Sequence, residues 1–184
     1  MAEFPFAEGV GPFHPASRTV NTFTTKQDVS PVSVPVMTPN RFRVNTQLMI
    51  RAWGNYSALT AAVLTLGFWF GTRLGVITGD IVLAPAFTCG TTPAAWAWHM
   101  EWDGVVTATG AAGTLRGQGK IQFGSSLTVF NAETPIPVTD AARSVASFDT
   151  TIERAIGVSA SWGASSASNQ IVTDGHRVTV LNGY

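Results

Sequence analysis

The chain has 184 residues, of which only 12% are charged and 45% are hydrophobic, and its eleven basic and eleven acidic side chains cancel to a formal charge of zero. A globular chain normally carries about twice that share of charge, and the arginines here are scattered with no basic run, which excludes the electrostatic footprint of a protein that grips phosphate backbones. The longest apolar run, Ala58 to Phe70, falls short of the roughly 20 residues that a spanning helix needs, so neither nucleic acid nor membrane is an expected partner.

Residues 1–40 hold six of the ten prolines, with Pro31, Pro35 and Pro39 four apart. Proline removes an amide donor and holds φ near −65°, so this stretch is expected as an extended arm and not as a strand of the core. Phe4, Phe6, Phe13 and Phe23 lie in it together with His14. A freely solvated tail is normally poor in aromatics. The arm must therefore dock, either on its own domain or on a neighbouring subunit, and these five residues are the expected assembly contacts. No basic leader precedes Glu3 and Glu8, and the single Cys89 allows no internal disulfide, so synthesis in a reducing cytoplasm is expected.

At Arg41 the pattern changes, which places the domain boundary between an arm, 1–40, and a sandwich domain, 41–184. RFRVNTQLMIRAW alternates Phe42, Val44, Thr46, Leu48 and Ile50 against polar positions, the signature of a half-buried strand. TAAVLTLGFWFG reads as a strand buried on both sides, and GVITGDIVLA as another. In AWAWHMEWDGVVTATG, Trp96, Trp98, Met100 and Trp102 fall on every second residue, which sends three indoles and a thioether to one face. Gly104 is expected to bend this long strand. In TLRGQGKIQFG, Gly117 and Gly119 replace core-face side chains, which points to close approach of a backbone or a bulky indole.

Further on, SLTVF at 126–130 reads as a short strand. Pro135 and Pro137 rule out a central strand. TDAARSVAS, 139–147, is the one expected helix, with Thr139 as its N-cap. TIERAIGVSASW and NQIVTDGHRVTVLN are β again, the second carrying an Asp174-Gly175 turn or bulge that leaves His176 exposed. About eight strands without alternating helices define an all-β chain, a two-sheet antiparallel sandwich of jelly-roll type with an extended N-terminal arm.

Site chemistry is sparse. His99, Glu101 and Asp103 share one face of the tryptophan strand, a spacing that could serve a divalent metal or acid–base work. A polar face opposite three tryptophans is also what any half-exposed strand carries. There is no nucleophile elbow and no phosphate loop. The HxE at 99–101 lacks the PCxxC that a zinc deaminase needs. No enzymatic activity, cofactor or metal is expected.

RAWG at 51–54, GAAGTLRGQG at 110–119, FDTT at 148–151 and SWGASSASNQIVTDGHRVTVLN at 161–182 together resemble a group of jelly-roll virion structural proteins of tailed bacteriophages. The resemblance covers Phe42 to the C-terminus and leaves the arm unmatched. It implies a virion component with an antiparallel sandwich, associated with head or tail and trimeric. Low charge and the preference for Arg over Lys, nine to two, also favour surfaces covered by neighbours. The expected function is thus a homotrimeric capsid decoration protein on the virion surface, with itself and the major capsid protein or other virion proteins as partners. The alternative is a tail or fibre module that binds host-surface saccharide through exposed Trp53, Trp69 or Trp102. Burial of the tryptophans discriminates the two.

Overall fold

Two antiparallel sheets face each other across one apolar layer. The computed structural model describes residues 7–10, 18–31, 34, 36–72, 76–90, 92–126, 129–131, 133–136, 144–145 and 148–181. Among these there is no helix. The centre of the larger sheet runs in the order β14 (Gln170–Leu181), β5 (Gln47–Ser57), β9 (Trp96–Ala108) and β10 (Thr114–Phe123). The smaller sheet is built on β13 (Arg154–Trp162), β6 (Val63–Thr72) and β7 (Val76–Leu83), with β8 (Phe87–Thr88) also on β6. The β5–β6 and β13–β14 connections both cross from sheet to sheet, while β5 pairs with β14 and β6 with β13. That paired crossover gives the sandwich its jelly-roll character.

Alternation explains which residues face inward. On β5, Leu48, Ile50, Ala52 and Tyr56 are buried. On β9 it is Trp98, Met100, Trp102 and Val106. The facing layer is Leu64, Leu66, Phe68 and Phe70 of β6 with Ile156, Val158, Ala160 and Trp162 of β13. Each of the larger side chains among them contributes roughly 1.5–3 kcal/mol only because both sheets exclude water from it.

Three local expectations take a different form. Pairing runs unbroken through Gly104, which faces Leu48 on one side and Gly117 on the other, so β9 is not interrupted at this glycine. It makes room for an indole, because a Cβ there would stand 2.0 Å from Cη2 of Trp102. Of the segment expected as a helix, Ser144–Val145 form β12, paired with Leu115 and Arg116 of β10, while 139–143 and 146–147 lie outside the described residues. Alanine-rich propensity yields to the open edge of β10, whose amides need partners. Of the strand expected at 126–130, Ser126 and Val129 lie outside any strand and Phe130 forms a single bridge with Gly124, while 127–128 lie outside the described residues. By contrast, β11 (Thr134–Ile136) sits where its prolines allow, on the edge of β10 with Pro135 opposite Lys120.

Strands do not begin at Arg41. β1 (Ala7–Val10) and β2 (Arg18–Asn21) lie one after the other along the free edge of β14. The chain then crosses to the other sheet, where β3 (Gln27–Asp28) and β4 (Val36–Met37) line the edge of β13. The arm thereby satisfies the backbone groups of two edges that would otherwise template aggregation. It also covers Trp69 on the outer face of the smaller sheet: the indole N–H of Trp69 donates to Asp28 Oδ1 at 3.1 Å and to the Val158 carbonyl at 3.2 Å. Ser30 completes the knot, donating its hydroxyl to Asp28 and accepting the Val158 N–H at 2.7 Å.

Candidate functional site

The outer face of the larger sheet carries most of the polar groups singled out in the sequence. Register places Arg177, Arg51, Glu101 and Lys120 in one row across β14, β5, β9 and β10. Glu101 sits between Arg51 at 3.6 Å and Lys120 at 3.5 Å, and Lys120 reaches on to Glu133 at 2.7 Å. The Glu133 hydrogen bond holds the Lys120 ammonium above its usual range. In the next row Trp53 faces His99, which faces Gln122. Glu101 is thus committed to two cations, and among the described residues no group of three His, Cys, Asp or Glu is placed to hold a metal ion.

On the other side of the Glu101 row, from Met49 and Asp103 onward, a groove of about 450 Å³ opens on the same face. Gln47 and Met49 wall it on β5, Asp103 and Val105 on β9, and Arg116 on β10. Partial burial raises the Asp103 carboxyl above its ordinary value, and the neighbouring Glu101 adds to this while Arg51 opposes it. Neither Asp103 nor Arg116 takes a hydrogen bond or ion pair among the described residues.

A second surface is defined by what it lacks. The connections 22–26, 58–62, 84–95, 124–133 and 163–169 meet at one end of the sandwich, and among their described residues only Lys26 and Glu133 are charged. They are tied to one another. The Ala58 N–H donates to the Pro93 carbonyl at 3.2 Å, Cys89 to Ala62 at 2.8 Å, and Leu59 to the Asn169 side chain at 3.1 Å, whose amide donates in turn to Ala164. Beneath them the Tyr56 hydroxyl donates to the Gly124 carbonyl at 2.7 Å, with its ring edge-on to Phe87, Trp96 and Phe123. Burial pushes the Cys89 thiol up to about 11, so it is protonated and inert at neutral pH. Leu59, Val129 and Phe130 are each about half exposed there, at 48%, 56% and 49%. The opposite end is different, with Arg41, Arg43, Asp149 and Glu153 in its connections.

Of the five expected arm contacts, Phe4, Phe6, Phe13 and His14 lie outside the described residues. Phe23 is 4% exposed and belongs to this chain's own core, so its ring is not offered to a neighbour. Trp69 and Trp102, expected as saccharide platforms if exposed, are fully buried. Trp53 alone of the three is partly open, lying over Gly175, where a Cβ would meet its ring at 2.1 Å. His176, expected at the surface, is inside. The Asp174-Gly175 pair is a bulge and not a turn, and the register shift between Thr173 and Gly175 brings His176 opposite Ala52, on the core face. Its ring stacks on Phe68 at 6.5 Å, burial lowers it to about 4, and neither nitrogen finds a hydrogen-bond partner. Sequence reasoning missed the charge-poor end, although windows with few ionisable groups were visible once the turns could be assigned to one end.

No known protein family matches the chain, and no curated protein does. Among solved structures it is similar to lectin I-B4 from Griffonia simplicifolia in its metal-free form, at 9% identity over 95% of this chain and 92% of the lectin chain, with a TM-score of 0.38. A likeness at that level has no bearing on what the chain binds.

Proposed function

We infer that this chain is a structural virion protein of a tailed bacteriophage, a homotrimeric sandwich that decorates the head and stabilises it through the major capsid protein. The observation that carries the reading is the charge-poor end. A surface built mainly from Ser, Thr, Ala and Gly with Leu59, Val129 and Phe130 exposed and only Lys26 and Glu133 charged can be covered by a neighbour with few ions to desolvate, and desolvating ions is the largest cost of burying protein surface. Depletion of charge is also the compositional mark of an interface core. The resemblance of residues 42–184 to virion proteins points the same way. Light scattering of the purified protein, followed by co-sedimentation with undecorated heads, tests it. A trimer that pellets with heads supports the reading, and a monomer that stays in the supernatant overturns it.

A second reading, a saccharide-binding module on tail or fibre, has one observation in its favour. Trp53 lies partly open on the outer face of the larger sheet with Asn55 and His99 on the same face, an apolar ring beside polar groups as sugar sites require. Quenching of tryptophan fluorescence by a saccharide, lost in Trp53→Ala, would favour this reading.

A further inference from the structure

We propose that the groove beside Asp103 and Arg116 receives residues 1–6, MAEFPF, of a second copy of this chain, with a phenylalanine seated against Met49 and Val105 and Glu3 paired with Arg116. The proposal rests on the self-association in the preceding reading and names its contact.

Shape and charge both fit. The groove of about 450 Å³ has room for an aromatic ring, and Met49 and Val105 give that ring an apolar wall. Arg116 is exposed and has no acidic partner among the described residues. An exposed guanidinium beside apolar side chains is suited to a short segment that alternates acid and aromatic residues, because Arg supports both ion pairing and stacking. Residues 3–6 are Glu, Phe, Pro and Phe.

Position supplies the rest. β1 begins at Ala7 opposite Leu181, Leu181 faces Gln47, Gln47 faces Val105, and Val105 faces Arg116. The point where residues 1–6 join the sheet is therefore level with the groove. β1 is antiparallel to β14, and its first residue, Ala7, pairs with Leu181, the last residue of that strand. Pro5 fixes its own φ and biases Phe4 toward an extended conformation. A return over the chain's own sheet would need a reversal within this short, proline-stiffened segment. Reaching a neighbour needs none.

The test uses the full-length protein with the pair Phe4→Cys and Met49→Cys, oxidised and run on a non-reducing gel, with Cys89 left buried as it is. Disulfide-linked multimers are expected. A cross-link within one chain, or none, overturns the proposal. Independently, Arg116→Glu should raise the concentration for half-dissociation about tenfold or more, the scale of a lost aromatic anchor and ion pair, and adding Glu3→Arg should restore it. If the parent associates and Arg116→Glu leaves it unchanged, the groove is not the contact although self-association stands. A parent that is monomeric throughout the micromolar range removes both.

Discussion

The indole of Trp102 lies across the α-carbon of Gly104, two residues further along the same strand, and also over Gly117 on the neighbouring one. A Cβ at either glycine would stand 2.0 Å or 2.3 Å from ring carbons of Trp102. Two strands thus give up a side chain each so that one large ring can lie flat in the core. Gly104→Ala is expected to cost about 1–3 kcal/mol through overpacking, a fall in melting temperature of about 2–12 °C for a chain of this size. Gly90→Ala is the control, since nothing lies within 4 Å of a Cβ there. Equal melting temperatures for the two variants would show that the core can shift around Trp102.

His176 makes stability depend on acid. In the unfolded chain its imidazole takes a proton near 6.5, whereas burial holds it down to about 4 in the fold. The unfolded state therefore binds more protons between those values, and stability present above about pH 6.5 is lost as pH falls toward 4, by about 3 kcal/mol in total. His176→Leu removes the titration and two unpartnered nitrogens. It is expected to be as stable as the parent or up to about 2 kcal/mol more stable at pH 7. Denaturant melts at pH 4, 5, 6 and 7 check this, the expected result being a flatter pH profile for the variant. Parallel profiles would place the acid sensitivity elsewhere.

How much of this was legible in the sequence depends on whether a feature is local. Period-two patterning identified β5, β9, β10 and β14, because side-chain alternation is a property of each strand alone. The substitution of Gly117 and Gly119 for core side chains was also readable, and Trp102 and the Glu101 carbonyl are what approach them. His176 was misplaced because a one-residue bulge exchanges the two faces, and nothing local distinguishes Asp-Gly in a bulge from Asp-Gly in a turn. The arm was misjudged for a related reason. Proline forbids central strands but not edge strands, and the two open edges that 18–37 cover exist only in the folded sandwich. The groove at Asp103 and Arg116 lies across three strands, so no single segment carries its signal.

The charge-poor end should tolerate added charge as a fold and, on the proposed reading, fail as a surface. Leu59 and Phe130 are about half exposed, so Leu59→Asp and Phe130→Glu are expected to change stability by less than about 1 kcal/mol. Placed in an interface, either carboxylate would have to be desolvated without a partner, which costs several kcal/mol. On the proposed reading, attachment to heads is therefore expected to drop by at least about a hundredfold in either variant, while melting temperature and oligomer mass stay at parental values. Undiminished co-sedimentation would move the contact to another face.

Truncation separates the parts of the arm. Removing residues 1–6 takes away no strand among the described residues, so the shortened protein is expected to melt within a few degrees of the parent. Removing 1–28 is a different operation. It deletes β1, β2 and β3, bares the edges of β14 and part of β13, uncovers the Trp69 indole by taking away Asp28, and empties the space of Phe23, which is 4% exposed in the core. Loss of a buried phenylalanine alone costs about 3–5 kcal/mol, a large fraction of the 5–15 kcal/mol that holds a typical domain folded. The longer truncation is thus expected to be marginally stable and to aggregate through its bared edges. Comparing thermal melts and soluble yield of the two shortened proteins measures this directly, and a well-folded, soluble 29–184 fragment would show that residues 18–28 cover the sandwich without supporting it.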